Sequence, residues 1–400
     1  MQVGIVGKPN AGKSTFFSAA TLTLVPIANY PFTTIKPNHG ISYLRVICVC
    51  KNLGVADSPR NSKCVDGERF IPVDLVDLPG LVPGAWEGRG LGNQFLDEVR
   101  KADALIHVVD SSGSTDSEGK LTAPGSHDPL EDVRFLEREL EMWMFQILNR
   151  EWEKISRRPD LTGEELALAV AERMSGLGVK RFQVEEGLKL AGLRGKPSAW
   201  SKDDILRLVG FLRRFSKPVL LAANKIDLPT ASKNADRLKQ ADELTVPVSA
   251  EAELALRRAA EKGLIQYKPG DHDFSVNPKA ELTQEQKTAL EMITMRVLQP
   301  AGTTGVQVCI NSAFLRLLNM IVVYPVEDPE HLTDHSGNVL PDALLVPRGT
   351  TMKELASRVH TELGEHFLYG VNARGGMRLA DSYVLEDGDV VSIVSAAQRR

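Results

Sequence analysis

The sequence predicts an α/β fold: a mostly parallel sheet with helices on both faces, interrupted by an inserted helical domain and followed by a small β-grasp domain. Three observations carry this expectation. A short apolar strand, Val3-Gly4-Ile5-Val6, runs into the loop Gly7-Lys8-Pro9-Asn10-Ala11-Gly12-Lys13-Ser14-Thr15 and then into a helix opening near Lys13. Further apolar strands end, in order, at Asp77-Leu78-Pro79-Gly80, at Asn224-Lys225-Ile226-Asp227 and near Ser249-Ala250. Between the strand Ala104–Asp110 and the one before Asn224 lie ~100 residues with apolar positions at helical spacing.

The first loop has the strand–turn–helix setting that G-x-x-x-x-G-K-[ST] requires. Gly7 and Gly12 let the backbone bend so that successive N–H groups face a phosphate at a positive helix end. Lys8, Asn10, Ala11, Gly12, Lys13, Ser14 and Thr15 are therefore candidate nucleotide contacts. Lys13 is placed to reach the β- and γ-phosphates, and the Ser14 hydroxyl to ligate Mg2+.

Asp77 ends the apolar run Phe70–Val76, where an acid works near magnesium, usually through water. Gly80 leaves room for its N–H to approach the γ-phosphate. Thr34, with Thr33 as the alternative, is the candidate switch threonine that closes on magnesium when the γ-phosphate is present. The catalytic set is thus Lys13, Thr34 and Gly80, and the magnesium set is Ser14, Thr34 and Asp77.

The base is set by Asn224-Lys225-Ile226-Asp227, which follows the apolar strand Pro218–Ala223. The Asp227 carboxylate can accept from guanine N1–H and its 2-amino group together. Adenine offers no such donor pair, and an unpaired buried carboxylate costs on the order of 1–3 kcal/mol. Asn224 is expected to tie this loop to the phosphate loop, and the Lys225 stem to cover the base. Ser249 and Ala250 end the next strand, with the Ala250 N–H suited to guanine O6. These motifs together select GTP over ATP.

Leu81 follows Gly80, where Ras-like enzymes carry a water-orienting glutamine. Leucine cannot hydrogen-bond, so slow intrinsic turnover is expected. Glu87 and Arg89 are the charged groups of the glycine-rich stretch Pro83–Gly92; a solvated loop explains both, and neither is given a catalytic role.

The segments GKPNAGKST, NYPFTTIKPN, DLPGLVPGAWEGRGLGNQFLDEVR and ALIHVVD resemble the Obg/YchF group of translation-associated GTPases, and within it the archaeal and fungal YchF-like branch with a C-terminal TGS domain. The resemblance covers most of the chain. It implies a P-loop GTPase domain, a hydrophobic residue in place of the catalytic glutamine, which Leu81 matches, and a link to the ribosome or to RNA. It also makes Asn10 a candidate K+ ligand, alongside a role in shaping the loop. YchF itself has an altered fourth motif and prefers ATP; the intact Asn-Lys-x-Asp here argues against that preference.

The chain has 400 residues, 42% hydrophobic and 25% charged, and a net charge of −4. That balance disfavours a protein coating nucleic acid, and neither DNA nor a membrane is an expected partner. Met1 nearly abuts the first strand, so no signal peptide and a cytoplasmic location are expected. Four cysteines are too few for a disulfide scaffold. Cys48 and Cys50 are read in an apolar strand, on one face, with Cys64 in a loop insert; plain buried thiols are favoured over a metal site that would need a fourth ligand. His107, inside an apolar strand, reads as packed.

The expected domains are residues 1–128 for the first part of the GTPase domain, 129–216 for the inserted helices, 217–318 for its second part with a helical extension, and 319–400 for the TGS-like module. Residues 111–129 read as a linker, and the Trp143-Met144-Phe145 cluster as the core of the insertion. Residues 173–217 carry 11 Lys/Arg against 4 Asp/Glu. That surplus suits a phosphate-rich partner such as rRNA, or simply a solvated helical face. The last module has 12 acidic and 7 basic residues, so contact there is expected to be local RNA or protein. Two functions follow: a GTP-hydrolysing switch on the translation machinery, or a nucleotide-gated adaptor with little turnover.

Overall fold

The computed structural model describes residues 1–22, 39–80, 84, 86, 92–157 and 162–396. Thr33, Thr34, Leu81, Glu87 and Arg89 lie outside the described residues. The described chain packs as two units, one holding 1–22, 39–40 and 74–309, the other 41–73 and 310–396.

In the first unit, β1 (Gln2–Val6) leads into α1 (Lys13–Thr21). Most of β2 (His39–Ile47), α2 (Val49–Leu53), β3 (Lys63–Val65) and the start of β4 (Glu68–Asp77) belong to the second unit. The chain returns to the first through α3 (Gly92–Lys101) and β5 (Ala104–Asp110). Strand β5 is buried at every position, as expected of a parallel strand covered on both faces.

Helices α4 (Pro129–Ser156), α5 (Gly163–Met174), α6 (Arg181–Leu190) and α7 (Lys202–Ser216) form the insertion. Its core gathers Met144, Leu148, Val170, Met174, Leu208 and Leu212, with Trp143 and Phe145 packed against it. Asp128 caps α4, accepting from Leu130 N at 3.1 Å, and Pro129 supplies the preset φ of a first helical residue. Such a cap contributes about 1 kcal/mol.

The sheet resumes with β6 (Val219–Asn224), α8 (Ala231–Ala241), β7 (Thr245–Pro247) and α9 (Ala250–Glu261). In this unit the order is β4-β1-β5-β6-β7, and all four pairings are parallel. The chain visits β4 on one side of β1 and β5 on the other. Ligands of open parallel sheets bind at such a reversal, beyond the strands' carboxyl ends; the loop after β1 is there. The stretch after α9, part of the expected helical extension, first forms a two-stranded hairpin of β8 (Ile265–Gln266) and β9 (Ser275–Val276) before α10 (Gln284–Ile293).

In the second unit, β10 (Met320–Val326), β11 (Leu344–Pro347), α11 (Met352–Val359), α12 (Thr361–Glu365), β12 (Phe367–Asn372), β13 (Arg378–Leu379) and β14 (Val390–Ser395) build a β-grasp sheet ordered β11-β10-β14-β12-β13. The central β10–β14 pair is parallel. The helical stretch breaks at His360, whose backbone is extended and whose Nδ1 accepts from Glu362 N at 3.3 Å to cap α12. Residues 41–73 share this unit. Arg60 Nη2 pairs with Asp342 Oδ2 at 2.8 Å, and Asn61 exchanges hydrogen bonds with the Ala343 backbone at 3.0 and 3.1 Å.

Two expectations are corrected here. Cys48 and Cys50 do not share a strand: β2 ends at Ile47, Cys48 caps α2 and Cys50 sits in its first turn. A five-residue helix leaves no periodic signal, so the apolar run reads as extended in the sequence. Residues 111–128 are not a loose linker either. Thr115 bridges to Leu121, and the Asp116 carboxylate accepts from the N–H groups of Glu118 and Lys120 at 3.0 and 2.8 Å.

Candidate nucleotide site

At the phosphate loop, Gly12 has φ 94°, and a Cβ there would lie 2.2 Å from Asn224 Nδ2. Only glycine fits that position. Helix α1 starts at the next residue, so the N–H groups of its first turn face the loop. Lys13 Nζ pairs with Asp77 Oδ1, and Ser14 Oγ lies 3.5 Å from Asp77 Oδ2. Ammonium, hydroxyl and carboxylate therefore converge at the end of β4. Gly80 Cα packs near Pro9, where an added Cβ would stand 3.4 Å from its ring.

The base-recognition loop is bound to the phosphate loop through one side chain. Asn224 Nδ2 donates to Ala11 O at 2.9 Å, and Asn224 Oδ1 accepts from Ala250 N at 3.0 Å. The tie between the loops is as the sequence predicts. The Ala250 N–H, expected to serve guanine, donates to Asn224 Oδ1 in this structure, as a buried amide donor needs an acceptor. Ser249 caps α9 and donates to Asp227 Oδ1 at 2.8 Å, which fixes one carboxylate oxygen.

Several residues missed by sequence reasoning complete the site. Asp110 ends β5 in register with Asn224 and pairs with Lys225 Nζ at 2.9 Å. Burial pushes the Asp110 carboxyl up, but hydrogen bonds from Ser112, Lys225 and Thr115 outweigh it and hold it below the usual carboxylate range. Lys225, at φ 66°, is thereby held by a fixed anion. Lys8 Nζ donates to Thr115 O at 2.8 Å and makes an ion pair with Asp132 Oδ2 at 2.8 Å, with both side chains buried. His127 Nε2 lies 2.8 Å from the other Asp132 oxygen.

Asn10, at φ 60°, donates from Nδ2 to Gly119 O at 2.9 Å. Gly119 (φ 83°) has no room for a side chain: a Cβ would stand 2.5 Å from Pro9 O. Residues 115–119 thus brace Lys8, Pro9 and Asn10 from outside. A polar end to an apolar strand was the signal for Asp110; nothing in the sequence pointed to Gly119.

Glu139, buried on α4, accepts from the backbone N–H groups of Gly84 and Trp86 at 3.0 and 3.1 Å. The basic residues of 173–217 are engaged in part. Arg173, Arg181, Lys189, Arg207 and Arg213 pair with carboxylates, and Lys217 Nζ donates to Arg100 O and Ala102 O.

Residues 2–132 match the family described as a 50S ribosome-binding GTPase, 222–328 the G4 motif-containing domain of Obg-like, YGR210-like GTPases, and 336–395 the TGS domain. An uncharacterized GTP-binding protein of Methanocaldococcus jannaschii is 48% identical, with 99% of each chain covered. The crystal structure of a GTP-binding protein from Pyrococcus horikoshii OT3 superimposes with a TM-score of 0.77 at 39% identity, covering 99% of this chain and 100% of that one. The ribosome-binding ATPase YchF of Haemophilus ducreyi is 32% identical over 65% of this chain and 68% of its own. The three matched families and the two relatives that cover 99% of this chain agree: the chain belongs to the Obg-like and YchF-like family of GTP-binding proteins, with a C-terminal TGS domain.

Proposed function

We propose that the chain hydrolyses GTP to GDP and phosphate, slowly on its own, as a nucleotide-dependent switch linked to the ribosome. The observation that carries this is the convergence of Lys13, Ser14 and Asp77 at the phosphate loop. Hydroxyl and carboxylate oxygens are the hard donors Mg2+ takes. Ser14, Asp77 and, by its motif, Thr34 would hold the ion, which when bound neutralises charge on the β- and γ-phosphate oxygens. Lys13 stabilises the γ-phosphate as its bond to the β-phosphate breaks, and the Gly80 N–H supports the same group. Water takes the phosphoryl group and gives up a proton. Leu81 offers no atom to orient that water, so turnover depends on another group: an activator or a K+ ion taken by Asn10 Oδ1.

The link to the ribosome rests on the 50S ribosome-binding GTPase family matched by residues 2–132 and on the relative YchF, a ribosome-binding ATPase. Arg173, Arg213 and Lys217 of the basic stretch 173–217 are engaged internally, while Lys180, Arg194, Lys196, Lys202 and Arg214 are exposed, so the ribosome, RNA or a translation-related protein would be met by those residues or by other surfaces. Among the described residues no helix is long and apolar enough to cross a membrane, and we place the protein in the cytoplasm, without DNA or membrane partners. The second reading, an adaptor that binds GTP but barely turns over, is favoured by Leu81 alone. The third, an ATPase like YchF, is opposed by the intact Asn224-Lys225-Ile226-Asp227.

The test is phosphate release from GTP and from ATP, with and without purified ribosomes. GTP turnover stimulated by ribosomes supports the switch. GTP binding without turnover in either condition assigns the adaptor, and faster ATP turnover assigns the ATPase.

A further inference from the structure

The second unit carries a side-chain cluster that the nucleotide chemistry does not use. Cys48, Cys50, Asp57 and Cys64 each present a ligand atom, and these four atoms lie within 4.8 Å of one another. Cys50 Sγ and Cys64 Sγ are 3.9 Å apart, and Cys48 Sγ donates to Asp57 Oδ2 at 3.2 Å. The two sulfurs are too far apart for a disulfide, whose S–S bond is about 2.05 Å. They sit instead near the edge of a tetrahedron of about 3.8 Å that follows from Zn–S bonds of about 2.3 Å.

The local fold converges on this cluster. Cys48 and Cys50 stand at the corner where β2 passes into α2, and Cys64 lies on β3, paired with Arg69 of β4. Between them, residues 55–62 have no helix or strand, and Asp57 reaches inward from that segment. The spacing, C-x-C-x6-D-x6-C, closes a short loop with ligands at both ends and in its middle.

The surroundings supply the outer partner that bound metal ligands usually have. Arg69, with no solvent exposure, donates from Nη1 to Asp57 Oδ2 at 2.8 Å and from Nη2 to Leu340 O, and lies over the Tyr324 ring. It orients the carboxylate and adds a positive charge. Three thiolates, one carboxylate, a divalent ion and Arg69 leave a net charge of about −1. That is a smaller buried imbalance than the four anionic ligands would carry alone.

We propose that Cys48, Cys50, Asp57 and Cys64 form a structural site for one thiolate-preferring divalent ion, zinc first. Four protein ligands close the coordination sphere, so the ion has no position for substrate and no catalytic role. Its function is to pin residues 48–64 against the start of β4, in the unit that carries the β-grasp sheet. Ion binding displaces the thiol protons to solvent and forms three metal–sulfur bonds and one metal–oxygen bond, with no change of oxidation state.

The experiment uses the full chain purified under reducing conditions without chelator. Elemental analysis is expected to give about one zinc per chain. Exchange with Co2+ is expected to produce thiolate-to-cobalt charge-transfer bands and the intense visible bands of a tetrahedral site. Cys64→Ser and Cys50→Ser are expected to lose both signals, and Cys309→Ser, which removes a buried thiol outside the cluster, to keep them. Asp57→Asn is expected to weaken zinc in chelator competition by at least the ~10-fold that loss of even an outer-shell partner costs. Retained binding of a fluorescent guanine nucleotide shows that each variant is folded; if Cys64→Ser is not, the wild-type stoichiometry and cobalt spectrum decide. Less than about a tenth of an equivalent of zinc after incubation with excess Zn2+ overturns the proposal, as does metal retained in Cys64→Ser or a Cys50–Cys64 disulfide formed quantitatively by mild oxidant in the zinc-treated protein.

Discussion

Asn224 Nδ2 donates to the carbonyl of Ala11 at 2.9 Å, joining residues 213 positions apart in the sequence. The same side chain accepts from Ala250 N, so one amide holds the phosphate loop, the guanine motif and the start of α9 together. Removing it leaves a buried carbonyl and a buried N–H without partners, at about 1–3 kcal/mol each. Asn224→Ala is therefore expected to weaken GTP and GDP binding by at least about tenfold, read by fluorescent-nucleotide titration. Wild-type affinity would show that the loops hold their positions independently.

Asp227 is held at one oxygen by Ser249 at 2.8 Å. In Asp227→Asn the side chain offers a donor where the carboxylate offered an acceptor. Guanine loses its partner at the 2-amino group, and xanthine, with a carbonyl there, gains one. Competition between GTP and XTP is expected to shift toward XTP by about 1–3 kcal/mol. An unchanged preference for GTP would sink the assignment of base recognition to this residue.

Gly119 touches the phosphate loop from outside at a left-handed φ of 83°. Gly119→Ala adds strain and a Cβ that would stand 2.5 Å from Pro9 O, so the brace on Pro9 and Asn10 must shift. Nucleotide affinity is expected to fall, along with a loss of about 1–3 kcal/mol of stability. Unaltered nucleotide binding in a folded variant would remove residues 115–119 from the site.

Asn10 bears on the cation. If its side-chain oxygen takes K+, GTP turnover is faster in potassium than in sodium buffer, and Asn10→Ala erases the difference. Equal rates in both salts for the wild-type chain rule out that role and leave Asn10 as the anchor to Gly119 O.

His107 is enclosed in β5, and burial, with Lys8 adding to it, drives its pKa from 6.5 down to about 3. Between those values the unfolded chain binds a proton that the folded chain refuses. Stability therefore falls as pH drops through 6.5, by up to about 1.4 kcal/mol per pH unit from this group. His107→Leu is expected to flatten the acid limb of a denaturation series between pH 6.5 and about 4. Parallel limbs in the two proteins would show that His107 is not the group responsible.

The sequence by itself determined the motifs of the nucleotide site and the chemistry expected of them. Glycines, Lys13, Ser14, Asp77 and Asp227 are read through residue type at fixed local spacing, and the apolar strands place them at or just beyond strand ends, with Lys13 and Ser14 opening α1. It also made the family legible, and the helical insertion, whose Met144 core follows helical spacing. Tertiary structure alone decided what depends on approach between distant segments. The ion pair from Lys8 to Asp132, the support of Lys225 by Asp110 and the brace of Gly119 on the phosphate loop bridge more than a hundred residues each. The Cys48–Cys64 cluster shows a second reason. Its backbone follows a five-residue helix too short to leave a periodic pattern, and its fourth ligand, Asp57, is an unremarkable loop acid until the fold turns it inward beside Arg69.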